Sequence, residues 1–422
     1  MSPTPSTDFA AFHSDHPRRR TALAGLAALG LGAVVPTLSA GAAHAAIGRA
    51  TATTATGGPV QLTLPAPTGP HPIGNVALHL IDRSRRDPWV PTHPVRELMI
   101  GIWYPAREVE GHGPVPWLPA AAWSAYLQDN GIPSGVVSVP ITHGHDTAPA
   151  DRRRGPRPVL LFSPGSGNDR DACTTFTEEL VSHGYVVVTI DHTHDSAEVE
   201  FPDGRVEPRT VPADTPEIDS EAVSVRTADA RFVLDQLHAI AAGWNPDAER
   251  RPLPQGLPEL LDLSRVGMYG HSMGGAAAAW AMYEDRRIRA GVNLDGSLYG
   301  PVLSAGLDRP FLIMCSQLHD MSNDPSWTEF WPHLRNWHKD LRLANAGHNS
   351  YSDLQSLVPE AEPVVSFPPG YVQELIGTVD PARSILAVRT YLLAYFDRFI
   401  RHHDGHLLDG PSPAFPEIEF LA

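Results

Sequence analysis

The chain has 422 residues, 42% of them hydrophobic, with 48 acidic against 32 basic side chains and a formal net charge of −16. Its length suits one large α/β domain with additions, or two domains, and its apolar content is enough for a sizeable core. The acidic balance, with no basic run beyond the N-terminus, argues against a nucleic-acid partner.

Arg18-Arg19-Arg20-Thr21 precedes an apolar run from Ala22 to Val35, and Ala43-His44-Ala45 follows as a small-residue cleavage site. This predicts a signal peptide of the twin-arginine type over residues 1–45, cleaved after Ala45, and hence a secreted enzyme. The run is too short and too rich in Gly for a membrane span, and no Cys follows it to carry a lipid. Residues 46–70, rich in Thr, Ala, Gly and Pro, read as a flexible lead-in.

The domain itself is expected over 71–404. Val76–Ile81 and Glu97–Tyr104 read as an antiparallel pair at a sheet edge. Residues 105–157, rich in Pro and Trp, read as an insertion near the site, with a helix over Ala120–Leu127. Pro158–Ser163 and Tyr185–Ile190 are short apolar runs of the kind buried on both faces, with a helix over Asp171–His183 between them. Asp219–Ala242 has the pattern of a long amphipathic helix. Val266–Tyr269, Ile288–Leu294, Pro310–Met314 and Leu341–Ala344 are the later strands, the last of them closing the series. Pro381–His402 is a C-terminal helix with Asp380 as N-cap and Pro381 at its first position, and 405–422 is a Pro-rich tail. Strands alternating with helices predict a mostly parallel central sheet with helices on both faces.

One junction carries chemistry. In "VGMYGHSMGGAAAAW" an apolar run meets Gly-His-Ser-Met-Gly-Gly and then an Ala-rich segment. A lone G-x-S-x-G arises by chance often enough to mean little. Strand, sharp turn and helix around it form the setting of a nucleophile elbow in an α/β-hydrolase fold. Ser272 is the candidate nucleophile.

Ser272 needs a base, and the base an orienting acid, in the chain order Ser, acid, His. His348 directly follows the strand ending in "LRLANAG" and is the candidate base. His333 and His338 fall in a segment that looks helical. Two acids stay open at this point: Asp295, which ends the strand after the elbow helix, and Asp320, which follows the next strand. The oxyanion donors would be the Met273 N–H and, from the loop "FSPGSGN", the Ser166 N–H, because Pro164 has no hydrogen to donate.

The clusters His143/His145/Asp146 and His192/His194/Asp195 hold metal-binding residue types, but their spacing is unconvincing, so no metal and no cofactor is expected. Asp191 and His192 follow a central strand and are expected at the site mouth. Cys173 and Cys315 are expected as two buried thiols. Trp117, Leu118, Trp123 and Tyr126 either wall an acyl pocket or form core under a long loop.

Taken together, "TGPHPIGNVALHLIDRSRRDPW", "RELMIGIWYPA", "VLLFSPGSGN", "SHGYVVVTIDHTHDS", "GHSMGG" and "NLDGS" resemble the platelet-activating-factor acetylhydrolase family, in particular its exported bacterial lipase-like members. The resemblance runs from Thr68 to at least Asp353. It implies an α/β-hydrolase fold and hydrolysis of a carboxylic ester of a lipid or small acyl group, with no obligate protein partner and at most transient contact with a lipid surface. It also implies Asp295 as the acid rather than Asp320, His348 as the base, and Ser166 and Met273 as oxyanion donors. Animal members carry His-Gly where this chain has Pro164-Gly165, which puts acyl preference in question, and their lipoprotein-binding segments have no counterpart here. Rival readings are a broader lipase or polyester hydrolase, an acyltransferase with the same triad, and a non-catalytic binding protein on this scaffold.

Overall fold

Val159–Phe162 and Val186–Val188 have no exposed member, which a strand satisfies only when helices cover both faces of its sheet. The computed structural model describes residues 51, 52, 58–213 and 215–422; the expected signal peptide lies outside the described residues. Its main sheet has 12 strands. They are β1 (Val60–Thr63), β2 (Ile73–Asp82), β3 (Arg96–Pro105), β4 (Pro114–Pro116), β5 (Val137–Asp146), β6 (Arg157–Ser163), β7 (Val186–Asp191), β8 (Leu261–His271), β9 (Ile288–Leu294), β10 (Phe311–Cys315), β11 (His338–Leu343) and β12 (Ile418–Phe420). Across the sheet the order is β12-β11-β10-β9-β8-β6-β7-β3-β2-β5-β1, with β4 paired to β5. The strands from β7 to β11 run parallel, as the α/β-hydrolase fold requires.

Helices α1 (Ala120–Asp129), α2 (Thr174–Ser182), α3 (Pro216–Ala241), α4 (Met273–Glu284), α5 (Leu354–Ala361) and α6 (Pro381–Ile400) complete the layers. The apolar residues of α3 and α4 pack into one core cluster, those of α2 and α6 into another. Helix α3 starts earlier than expected because Thr215 accepts from the Ile218 N–H and Pro216 occupies the first turn. Helix α6 starts as expected, with Asp380 accepting from the Arg383 N–H. The buried Tyr395 hydroxyl donates to Pro310 O (2.7 Å) and accepts from the Gly291 N–H (3.1 Å), which pins α6 to the strands beneath it.

Several expectations need correction. The β2–β3 hairpin is interior: β3 pairs with β7 and β2 with β5, so neither side is an edge. Residues 105–157 are not merely an insertion, since they supply β4, α1 and β5. The lead-in contains β1 and the tail contains β12, which runs antiparallel to β11, so the strand around Leu341 is not the last. His338 heads β11, whereas His333 closes the 3-10 turn Trp331–His333 that extends the helix Pro325–Phe330. Cys173 and Cys315 are both free and buried.

Candidate active site

The turn between β8 and α4 holds Ser272 at φ 55°, ψ −125°, a conformation few side-chain-bearing residues adopt. The flanking glycines explain how it is reached. A Cβ on Gly270 would lie 2.2 Å from the Gly274 carbonyl, and one on Gly274 would lie 1.9 Å from Ser163 O. Strand and helix therefore close on the serine only if both positions lack a side chain. The Ser272 N–H donates to Leu294 O (2.8 Å), which ties the elbow to the end of β9.

The residue after Leu294 is Asp295, held at φ 61° in a turn that Asn293 closes with two hydrogen bonds to Gly296. Its buried carboxylate accepts from the Ser316 N–H (2.7 Å), from His319 Nδ1 (3.1 Å) and from His348 Nδ1 (2.6 Å). Burial opposes ionisation of Asp295, but the hydrogen bonds from His319 and His348 outweigh it and hold the carboxyl well below the usual carboxylate range. Because His348 gives its Nδ1 hydrogen to this carboxylate, the neutral ring keeps its lone pair on Nε2, the nitrogen a base uses. His271, in the elbow itself, donates from Nε2 to His348 O (3.0 Å), and the two rings lie 4.6 Å apart.

Asp320 does not join this group. It accepts from Ser322 and pairs with Arg342, on the partly exposed side of the loop after β10. Its neighbour His319 turns inward instead and bridges Asp295 (3.1 Å) to Asp324 (2.7 Å) while stacking on Trp327 at 4.3 Å. Burial opposes charge on His319, yet hydrogen bonds to Asp295 and Asp324 outweigh it and push the imidazole up to about 10.

A folded-state value above the ordinary one means that this imidazolium's contribution to stability is full below pH 6.5, falls as pH rises, and is gone above about pH 10. In His319→Gln that slope of thermal stability against pH flattens. An unchanged slope would mean that Asp295 and Asp324 do not hold the His319 ring charged.

The loop after β6 lies against Ser272: a Cβ on Gly165 would sit 3.3 Å from Ser272 Cβ. Arg226, on α3 and fully buried, reaches under this loop. Its guanidinium donates to Pro164 O and Gly165 O (3.1 Å for the latter) and pairs with Asp195 (2.6 Å). In a trans peptide C=O and N–H point oppositely, so a Gly165 carbonyl held by Arg226 aims the Ser166 N–H away from it. The Ser166 hydroxyl accepts from Arg209 (3.2 Å). Met273, the other expected donor, is the first residue of α4, whose N–H has no intrahelical acceptor.

His192 does not line the mouth. It is fully buried, with Nε2 on Ser163 Oγ (2.9 Å) and Nδ1 on Asp229 (3.0 Å), and Asp191 is consumed by Arg170. Ser163, His192 and Asp229 copy the residue types of a triad in the interior, and they brace the strand end that launches the loop carrying Ser166. His143 pairs with Glu178 (2.7 Å), while His145 bonds to Ile73 O (3.2 Å). Trp117 packs with half-buried Trp123 and Tyr126 over β1, β5 and α5, and its indole donates to Asp353 (2.9 Å). Of the two readings of that segment, core is the observed one.

The family model described as "Platelet-activating factor acetylhydrolase, isoform II" matches residues 56–395. A "Probable 1-alkyl-2-acetylglycerophosphocholine esterase" from Arthroderma benhamiae is 30% identical over 391 residues, covering 86% of this chain and 95% of that protein. The platelet-activating factor acetylhydrolase of Cavia porcellus is 23% identical over 260 residues, 58% of this chain and 57% of its own length. Among solved structures, a ferulic acid esterase from Streptomyces cinnamoneus superposes with a TM-score of 0.72 at 34% identity, covering 86% of this chain and 99% of that one.

Proposed function

We propose that this chain, which belongs to the platelet-activating-factor acetylhydrolase family and is a carboxylic ester hydrolase, works through Ser272, His348 and Asp295 and acts on lipid-like esters outside the cell. The observation that carries the reading is the 2.6 Å bond from His348 Nδ1 to a buried Asp295 that ends the strand tied to the Ser272 elbow.

His348 Nε2 takes the Ser272 proton as the hydroxyl oxygen attacks the ester carbonyl. Asp295 fixes the tautomer and stabilises the imidazolium that forms. The Met273 and Ser166 N–H groups receive the oxyanion, each contributing about 3 kcal/mol to the transition state. The carbonyl–oxygen bond breaks, and the alcohol leaves with the proton from His348. Water, deprotonated by the same nitrogen, then releases the acid and restores the serine. The scheme uses no metal or cofactor.

A lipid-like substrate is supported by the names of the relatives and by Leu318, 81% exposed beside His319 on the loop after β10, where it suits brief contact with a lipid surface. Export by the twin-arginine route rests on residues 1–45 and is checked by the mass of the exported chain, expected to begin at Ala46. Hydrolysis of p-nitrophenyl esters from acetate to palmitate tests the substrate class. The expected profile peaks at short acyl chains. A maximum at palmitate would favour a broad lipase. Preference for methyl ferulate would favour a phenolic-acid esterase, the second reading that the solved relative raises.

A further inference from the structure

We propose a structural metal site, independent of the esterase reading, formed by His93, His194 and Glu207 and suited to Zn²⁺ or a similar divalent transition ion. One ligand atom from each lies within 4.8 Å of the others. Two imidazoles and one carboxylate are a donor set that zinc favours, and bonds of about 2.0–2.2 Å need only side-chain rotations of about an ångström to close the site.

The surroundings are those of a held ligand set. His194 is buried and sits at φ 68°, a strained conformation for its residue type. Asp87 accepts from its Nδ1 (2.9 Å), the outer carboxylate that orients a metal-binding histidine and leaves Nε2 as donor. That Nε2 faces Glu207 Oε2 at 3.2 Å, and a shared cation satisfies two such electron pairs together. Arg205 holds the other oxygen of Glu207 (2.8 Å), so Oε2 stays turned inward. Asp87 also accepts from the Trp89 and Val90 N–H groups (2.9 Å each), and the His93 N–H closes back on Val90 O (2.8 Å). The residue that orients one imidazole thus shapes the turn that presents the other.

The three ligands come from separate places: the loop between β2 and β3, the loop after β7, and the hairpin strand Val206–Pro208. The β7 loop bridges to the oxyanion loop at Ser196–Gly167, and Arg209, just beyond the hairpin, bonds to Ser166 Oγ. A bound ion therefore clamps the segments behind the oxyanion loop without entering the chemistry.

The test uses the full chain without a histidine tag, stripped by chelator, in a His406→Asn background that removes the exposed Asp404/His406/Asp409 group from the count. Titration with ZnCl₂ by calorimetry is expected to give one ion per chain. Co²⁺ should give a visible d–d band, and Tm should rise by roughly 3–5 °C at a hundredfold excess over Kd. His93→Gln and Glu207→Gln should each abolish the band and the Tm rise while keeping the circular dichroism and ester hydrolysis of the metal-free protein. Retention of the stoichiometric Co²⁺ band in both variants, or no uptake by the well-folded parent, would overturn the site.

Discussion

Ser272→Ala is expected to lower kcat for p-nitrophenyl acetate by about 10⁶-fold and Asp295→Asn by about 10⁴-fold, while Asp320→Asn stays within about threefold of the parent. The serine variant removes the attacking oxygen and leaves only binding and the oxyanion donors. The Asp295 change is conservative in shape but not in chemistry. An amide can present N–H to His348 Nδ1, which reverses the tautomer and puts the hydrogen on the nitrogen that should act as base. Asp320 binds Arg342 and Ser322 and touches neither histidine of the site, so removing its charge alters a half-exposed ion pair of small worth. Stopped assays of the three proteins side by side decide the matter. A collapse in Asp320→Asn with Asp295→Asn active would reassign the acid.

Arg226→Met is expected to cost about 3–5 kcal/mol of stability and to lower kcat by about 10²-fold with a smaller change in KM. The guanidinium is fully buried and donates to four acceptors: Ser163 Oγ, Pro164 O, Gly165 O and Asp195. Burial opposes ionisation of Asp195, and the Arg226 charge outweighs it and keeps the carboxyl low. With Met in place, an uncompensated carboxylate and two carbonyls remain in the interior. The stability deficit, read from urea midpoints, should be largest above the carboxylate range and shrink in acid, where Asp195 takes up a proton. The kcat loss has a separate origin in the freed Gly165–Ser166 peptide, whose N–H no longer points one way. Arg226→Lys keeps the charge but not the fork, so it should recover more stability than rate. Equal recovery of both would mean that Arg226 only holds the fold.

The elbow was legible because its demands are local. Gly270, Ser272 and Gly274 lie within one turn, and backbone sterics at that turn admit little else. Strands β6 and β7 were legible because burial on both faces leaves a continuous apolar run, and α6 because Asp380-Pro381 is a start signal in the chain itself. His348 followed from its place after an apolar strand.

Other features had no local signature. Strand β5 carries Pro140, His143 and His145 and lacks an apolar rhythm; it is a strand because β2 and β1 flank it and because Glu178, from α2, takes both the N–H and the ring of His143. Short β1 and β12 exist only by pairing with neighbours far along the chain. Asp295 and Asp320 each end a strand or open a loop, and spacing alone left both open; family resemblance favoured one. What separates them physically is that Asp295 turns under the sheet's end to meet His348 and His319, while Asp320 turns out to Arg342. His319, Arg226 and the gathering of His93, His194 and Glu207 are contacts between distant segments. The sequence by itself determined the strand–turn–helix that holds Ser272 and the residue types at the strand ends, because those depend on sterics and burial within a few residues. Only the tertiary structure decided which acid faces His348, what braces it and what holds the loop carrying Ser166, because those depend on where separate strands bring their ends together.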